Sequence, residues 1–363
     1  MERVTEGGAC FATEGAFYNP RMEMNRDITV GVLRAWKDEE EVATYLDSNT
    51  ASGVRGVRAA LSGYEATLVD RSEDAVELAR RNVHGNGVGD RAEVSHEDAN
   101  VVMRRNRYDV VDIDPFGSPV PFADSAFDCA DSLACFTATD TAPLCGAHDS
   151  GVRRYSCIPL NTTYHAEMGL RVLVGALVRT AAKYDVAGTP VLSHSSDHYK
   201  RTYLALEEGA KVSNTALEGV GFLSHCFDCG ARDVHDAVGA AVPERIEREC
   251  ACGATRRVAG PLWTGALRDA EFVDAVLDEL EDESMGTRKR ATKTLRAVRD
   301  ELDTPTHYDH HEVCRRAGVT PSKLDAFVER LRDEGHEATK AHYSGTAFKT
   351  DASHDEVVAL VGE

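Results

Sequence analysis

Tyr45-Leu46-Asp47-Ser48-Asn49-Thr50-Ala51-Ser52-Gly53-Val54-Arg55-Gly56 opens the part of the chain whose rhythm decides its fold. A short apolar run enters a polar, glycine-containing turn, and a helix is predicted over residues 54–61. Residues 66–69 read as a buried strand that ends at Asp70. Ser72 fits an N-cap, and residues 73–83 carry their apolar side chains at helical spacing. Strand signals recur at 92–95, 108–113 and 133–137. A long apolar helix is predicted at 168–183, and two more strands at 190–194 and 203–206. Strands alternating with helices form a parallel sheet covered on both faces, with right-handed crossovers. The predicted fold class is α/β, with a mostly parallel, doubly wound sheet.

The pattern changes after about residue 210. Paired cysteines come first, then a charged helical stretch over 269–302, then a compact module. In that module residues 311–317 read as a helix, Gly318-Val319 as a turn and Thr320-Pro321 as a cap and first helical position. A second helix over 322–334 ends at Gly335, and the segment to Thr350 holds two strands. Helix, turn, helix, hairpin is a winged-helix order. His307, His310 and His311 precede or open the first of these helices with no matching thiols, and are expected at the surface.

A chain of 363 residues can bury two cores. No apolar run approaches the roughly 20 residues of a membrane span, and no signal-peptide pattern is present, so a cytoplasmic protein without membrane contact is expected. Acidic residues number 61 against 41 basic, for a net charge of −20. Most of the basic residues are arginine, and the acids are spread along the chain. This composition points to a salty cytoplasm, as in halophilic archaea. It argues against nucleic-acid binding by bulk electrostatics. At molar salt the Debye length falls to about 3 Å, so local arginines, stacking and shape would have to carry any such binding.

Three groups of residues carry chemistry. The turn Asp47 to Gly53, with Gly56, offers backbone room and amide donors at a helix N-terminus. Asp70 ends the next strand, where a carboxylate can take both ribose hydroxyls of a nucleoside cofactor. Asp98 follows the third strand and could accept from an adenine amino group. As helix caps alone, Asp70 and Asp98 would need no ligand; two acids at successive strand ends beside a glycine turn favour a cofactor. The dinucleotide pattern G-x-G-x-x-G is absent, which suits a ligand without a pyrophosphate, S-adenosylmethionine. Arg26 and Arg55 are placed to pair with the carboxylate of such a ligand.

The second group is Asp112-Ile113-Asp114-Pro115-Phe116-Gly117-Ser118-Pro119, at the carboxyl edge of the fourth strand. The Asp114 carboxylate and the Pro115 carbonyl can accept two N–H bonds from a planar amine, and Phe116 can stack on a base. The third group is Cys226-x2-Cys229 with Cys250-x-Cys252. Four thiolates on two short knuckles suit tetrahedral, structural Zn2+, with Gly230 and Gly253 closing the knuckles. The six other cysteines show no such pairing and read as buried or inert.

Together these residues resemble the tRNA (guanine-26-N2) dimethyltransferase family. The resemblance runs from Phe17-Tyr18-Asn19-Pro20-Arg21 and Asn25-Arg26-Asp27, through Ala51-Ser52-Gly53-Val54-Arg55-Gly56-Val57-Arg58 and the Asp112–Pro119 run, to the four cysteines. It implies a Rossmann-like class I methyltransferase of haloarchaeal type. It also implies S-adenosylmethionine on Arg26, Arg55, Asp70, Asp98 and Ala99, catalysis at Asp114, Pro115 and Phe116, and zinc on Cys226, Cys229, Cys250 and Cys252. The partner implied is tRNA, and no obligate protein partner is inferred. The expected domains are a methyltransferase domain at 1–215 and a zinc-containing, winged-helix-like tRNA-binding domain at 216–363. This chain departs from the family in the polar opening Asp47-Ser48-Asn49 of its cofactor turn and in its shortened second cysteine pair. The Asp-Pro-Phe motif alone also allows an amino methyltransferase acting on another tRNA guanine or on DNA adenine. A non-enzymatic winged-helix regulator would leave Asp70, Asp98 and Asp114 without a role.

Overall fold

The computed structural model describes residues 3–196, 198–236 and 246–362. A hairpin of β1 (Arg3–Glu6) and β2 (Ala9–Ala12) and the long helix α1 (Glu23–Glu39) come first; the alternating pattern does not contain them. Then follow β3 (Thr44–Asp47), α2 (Val54–Leu61), β4 (Glu65–Asp70), α3 (Glu73–Gly85), β5 (Ala92–His96), α4 (Ala99–Met103), β6 (Tyr108–Ile113), α5 (Val120–Cys129) and β7 (Ala130–Ala138). Two short helices, α6 (Thr141–Leu144) and α7 (Ser150–Tyr155), lead to α8 (His165–Ala181), β8 (Val186–Ser196) and β9 (Tyr199–Glu208).

These seven strands make one sheet in the order β5-β4-β3-β6-β7-β9-β8. β5, β4, β3, β6 and β7 pair in parallel, while β9 runs antiparallel to both its neighbours. The fold is therefore the mostly parallel α/β sheet that the alternation predicts. The chain walks outward from β3 to β5, then returns to β6. Adjacent crossovers leave the sheet in opposite directions at β3 and β6, and the crevice at their carboxyl ends is where such sheets bind ligands. Helix α2 lies close on the sheet because Gly56 has no side chain; a Cβ there would meet Leu68 at 2.3 Å.

β8 and β9 extend beyond the predicted spans. Their added residues include Ser195, Lys200, Arg201 and Thr202, all buried and polar, which an apolar pattern cannot register. They are stable inside because each finds a partner: Lys200 donates to Ser195 at 2.6 Å, Thr202 bonds Ser193 across the pair at 2.8 Å, and Arg201 donates to Asp112 of β6.

Helix α9 (Ala210–Leu217) leads into a second sheet of β10 (Val220–His225), β11 (Arg232–Asp236) and β12 (Arg257–Trp263), with β10 central. Leu223, Ala259 and Leu262 of this sheet share a core with Met168 and Leu173 of α8. The charged stretch 269–302 is two helices, α10 (Ala270–Glu279) and α11 (Arg288–Asp300). They fold back on α1, where Phe272, Val276, Leu295 and Val298 pack in one core with Ile28, Val32 and Trp36.

The chain closes with β13 (Tyr308–Asp309), α12 (His310–Ala317), α13 (Leu324–Asp333), β14 (Ala338–Lys340), β15 (Ala347–Thr350) and α14 (His354–Val361) around their own core. The helix–turn–helix–hairpin order is the one read from sequence, but α13 starts later than Thr320-Pro321 implied. Its N-cap is Lys323 in extended conformation. Phe327, Val328 and Leu331 are the buried residues of α13, while Thr320 to Lys323 are all exposed and pack on nothing that would hold them helical. Two of the three histidines expected at the surface are instead buried. The ring of His307 meets Glu167 at 3.0 Å, and His310 stacks on Phe327 at 4.8 Å; His311 is exposed. Of the six cysteines outside the paired motifs, Cys129, Cys135, Cys145, Cys157 and Cys314 are buried and Cys10 is exposed. No helix among the described residues is long and apolar enough to cross a membrane.

Candidate functional site

The turn after β3 is wound tightly by its own side chains. The buried Asp47 carboxylate accepts from the Thr50 hydroxyl at 2.7 Å and from the Gly56 N–H at 3.0 Å. Burial raises its pKa to about 7 despite the Thr50 bond. Ala51 and Gly53 both have positive φ, 47° and 78°, which turns the backbone into the crevice before α2 begins. The Ala51 N–H donates to Asp70 Oδ2 at 3.0 Å, and the Ser72 N–H donates to Asp70 Oδ1 at 2.9 Å. Asp98 is the N-cap of α4 and accepts from the Asn100 N–H at 2.9 Å. Both acids therefore bond to nearby backbone amides as well as facing the crevice.

One cavity of about 650 Å³ opens at these strand ends. Its wall includes Arg26, Arg55, Asp70, Asp98, Ala99, Asp114, Pro115 and Phe116, so the sequence-predicted cofactor and catalytic residues share a single space. A cavity of this size suits a nucleoside-sized ligand together with a planar base.

The loop carrying Asp114 is held at its far end by Thr139, just past β7. The Gly117 N–H donates to Thr139 Oγ1 at 2.8 Å, and the Thr139 N–H donates back to the Gly117 carbonyl at 2.9 Å. Gly117 sits at φ 88°, which reverses the chain after Phe116. Phe116 is 74 % exposed, which for a large ring needs a reason. Phe17 stands beside it edge-on, with ring centroids 4.6 Å apart, and is itself 53 % exposed. Phe17 belongs to a family-like motif, but the motif alone gives it no role.

Below the loop lies an alternating stack of charges. Arg201 donates to both oxygens of Asp112 at 2.7 and 2.8 Å, and Tyr45 donates to Asp112 Oδ2 at 2.9 Å. Burial alone would raise the Asp112 pKa, but Arg201 and Arg55 outweigh it and hold the carboxyl below its usual range. Arg55 stands between the acids, 3.6 Å from Asp112 and 2.7 Å from Asp114 Oδ2. Asn25 and Thr29 of α1 fix its other nitrogens at 2.5 and 3.2 Å. Asp114 Oδ1 has no protein donor among the described residues. The sequence motifs contained Asn25 and Asp112 but gave them no role of their own, and Thr29 and Arg201 were missed, because they come from elements far apart in the chain.

Arg26, expected beside a cofactor carboxylate, lines the cavity but is already paired. Its Nε and Nη2 donate to Glu6 at 2.7 and 2.6 Å, and both terminal nitrogens reach the Asn19 carbonyl at 3.2 Å. Glu6 also binds Arg58 at 2.6 Å, and Arg58 binds Asp27 at 2.7 Å. Burial would raise the Glu6 pKa, but the Arg26 hydrogen bond and the charges of Arg26 and Arg58 bring it to about 2. The β1–β2 hairpin thus locks the start of α1, and nothing in its sequence announced that role.

The four cysteines converge from the β10–β11 connection and from the loop before β12. Their sulfurs all lie within 4.8 Å of one another, with Cys226–Cys252 at 3.6 Å and Cys229–Cys250 at 3.5 Å. Sulfurs at tetrahedral corners around a zinc ion with bonds of about 2.3 Å would stand about 3.8 Å apart, so the donor set fits. Each pair sits on a knuckle closed by a glycine with positive φ, Gly230 at 94° and Gly253 at 85°. The first knuckle also anchors the last module: Arg316 donates to the Asp228 carbonyl at 2.9 Å, and the His354 ring meets the Cys229 carbonyl at 3.2 Å.

Known proteins are similar to this chain in sequence and in fold. The family model described as N2,N2-dimethylguanosine tRNA methyltransferase matches residues 3–361. A protein of Haloarcula marismortui named tRNA (guanine(26)-N(2))-dimethyltransferase is 49 % identical over 344 residues, covering 94 % of this chain and 92 % of its own. A protein of the same name from Methanosarcina mazei is 43 % identical over 356 residues, covering 95 % and 91 %. A solved structure of Trm1 from Pyrococcus horikoshii in complex with S-adenosyl-L-methionine superposes with a TM-score of 0.89 at 35 % identity, covering 99 % of each chain.

Proposed function

This chain belongs to the N2,N2-dimethylguanosine tRNA methyltransferase family, and we propose that its reaction is the S-adenosylmethionine-dependent dimethylation of the exocyclic N2 amine of guanine 26 in tRNA. The observation that carries this assignment is the sharing of one cavity by Asp70, Asp98 and Asp114. Asp70, Asp98 and Ala99 would hold the nucleoside part of the cofactor, and Arg26 and Arg55 lie on the side of its amino-acid tail. When bound, S-adenosylmethionine supplies an electrophilic methyl group.

The chain's own contribution is orientation and proton handling. Asp114 Oδ1, free of donors among the described residues, accepts one N–H of the target amine and takes the proton that the nitrogen sheds. The Pro115 carbonyl accepts the other N–H. Phe116 covers the base, which must leave its stack to enter. Holding the nitrogen in one direction supplies the near-attack geometry that lowers the barrier. Once Asp114 has passed that proton to solvent, its contact is available to the one N–H that is left, and it takes the second proton in the same way.

Four thiolates leave no open coordination position, so we assign the cysteines to structural zinc. We divide the labour at residues 215 and 216, with methyl transfer in the first part and zinc and tRNA binding in the second. The net charge of −20 and the 49 % identity to a Haloarcula marismortui protein support a halophilic, cytoplasmic enzyme. The test is mass spectrometry of tRNA nucleosides after incubation with enzyme and cofactor, mapped to position. N2,N2-dimethylguanosine at position 26 is the expected product; modification of a different base, or of DNA adenine alone, would replace this assignment.

A further inference from the structure

Helix α11 departs from the composition of its chain. It carries Arg288, Lys289, Arg290, Lys293, Arg296 and Arg299 with one acid, Asp300, in a protein of net charge −20. Ala291, Leu295 and Val298, at positions i, i+4 and i+7, are buried in the core that α11 shares with α1 and α10. Lys289, Lys293 and Arg296 repeat that spacing on the opposite side, and with Arg290 they are exposed. One side of the helix is thus apolar and packed, and the other is cationic and open.

Some exposed arginines in this chain stand beside a carboxylate and others, Arg80, Arg91 and Arg153 among them, have none within 4.0 Å among the described residues; what distinguishes α11 is four such cations on one face of one helix. Arg105 pairs with Glu97, Arg107 with Asp131, Arg315 with Glu312 and Arg332 with Glu329. Arg299, on the last turn of α11, is neutralised by Asp274 and Asp300. Among the described residues, Lys289, Arg290, Lys293 and Arg296 have no carboxylate within 4.0 Å. With 61 acids in the chain, an idle solvated face would more readily be acidic or paired.

The start of the helix is tied to α1, whose preceding residues line the cavity. Thr287, the N-cap of α11, donates its N–H and hydroxyl to Asp27 of α1 at 2.9 and 2.5 Å. Gly286 lies against Glu23, which directly follows Arg21 and Met22 of the cavity wall. Arg290 is close enough to Tyr199 for its charge to act on that phenol, and His198 beside it lines the cavity.

We infer that the open face of α11, formed by Lys289, Arg290, Lys293 and Arg296, seats the phosphate backbone of the tRNA whose guanine enters the cavity. The inference rests on the tRNA assignment above and gives it a surface. The helix is roughly 20 Å long at about 1.5 Å per residue, enough to follow several phosphates. High salt screens the repulsion from distant acids more completely than a cation in direct contact with a phosphate, although each such contact also weakens as salt rises. The α12–α13 module is the weaker candidate. Its arginines are engaged by Glu312, Glu329 and backbone carbonyls, which leaves its surface close to neutral.

The test compares wild-type enzyme with the fourfold variant Lys289→Gln, Arg290→Gln, Lys293→Gln and Arg296→Gln. The expected result is a tRNA Kd and KM raised at least about tenfold, with cofactor affinity and kcat at saturating tRNA unchanged. The slope of log K against log salt should shrink by about 0.7 to 0.9 for each phosphate that no longer meets a cation. An unchanged Kd and slope would overturn the assignment. A second measurement needs no variant: acylation of lysines on wild-type protein, with and without tRNA. Protection of Lys289 and Lys293 supports the α11 face. Protection of Lys323 on the α12–α13 module, with both α11 lysines still reactive, rules it out. If the wild type methylates tRNA and the variant binds it as tightly, only the surface falls; if the wild type methylates no tRNA, the functional assignment falls with it.

Discussion

Arg55 Nε donates to Asp114 Oδ2 at 2.7 Å, joining the first turn of α2 to the loop after β6. The guanidinium is itself held by Asn25 and Thr29 of α1. One oxygen of Asp114 is thereby fixed and the other left to the cavity. Residues from two helices, α1 and α2, set the direction of a single carboxylate on a third segment, as catalysis by positioning requires.

Replacing Asp114 by Ala should therefore cost chemistry and spare binding. The expected loss in kcat is about 10²- to 10⁴-fold, the usual range for a positioned proton acceptor, with S-adenosylmethionine affinity close to wild type. Calorimetry and single-turnover methylation read the two separately. Wild-type turnover in Asp114→Ala would remove the role assigned to this residue.

Asp70 should behave in the opposite way. Charge-assisted hydrogen bonds contribute about 1.5 to 3 kcal/mol, so Asp70→Ala should weaken S-adenosylmethionine binding by about 10- to 100-fold. Turnover at saturating cofactor should change far less. Labelled cofactor bound with undiminished affinity would sink the assignment.

Removal of zinc should loosen the distal part of the chain before it touches chemistry. Arg316 and His354 bond to backbone carbonyls of the Cys226–Cys229 knuckle, so the knuckle and the last module should lose order together. A strong chelator, or Cys226→Ala, should lower Tm and expose the knuckle and the last module to protease, while kcat at saturating tRNA and low temperature is largely kept. Elemental analysis that finds no zinc in purified protein would end this idea.

The Glu6 pair predicts a pH window. Its folded pKa of about 2 lies below its ordinary value of 4.5. A depressed carboxyl contributes stability that is complete above the unfolded pKa and disappears as pH falls through the folded one. Stability should thus decline between about pH 4.5 and 2, and Glu6→Gln should be flatter across that window. At neutral pH the variant should be weaker by on the order of 3 kcal/mol. Denaturant midpoints across this range, identical for the two proteins, would contradict the prediction.

Much was legible in the sequence because it depends on neighbours along the chain. Strand and helix periodicity, the glycine turn, acids at successive strand ends and paired cysteines are local patterns, and the sheet and cavity follow from them by the geometry of the crossovers. The cap at Ser72 and the strand over Tyr108–Ile113 are where local chemistry put them. The late start of α13 and the burial of His307 were not legible, because both depend on which surfaces meet. His307 pairs with Glu167, and no spacing rule links residues so far apart.

By itself the sequence determined the α/β alternation, the carboxylates of the strand ends and the thiol set, each dictated by short-range periodicity and residue chemistry. Only the tertiary structure decided that Glu6 locks Arg26 and Arg58, that Arg201 and Arg55 bracket Asp112, and that α11 turns its basic face outward. Burial makes the difference. A charge withdrawn from water must find its counter-charge in space, and the partner that satisfies it is selected by packing.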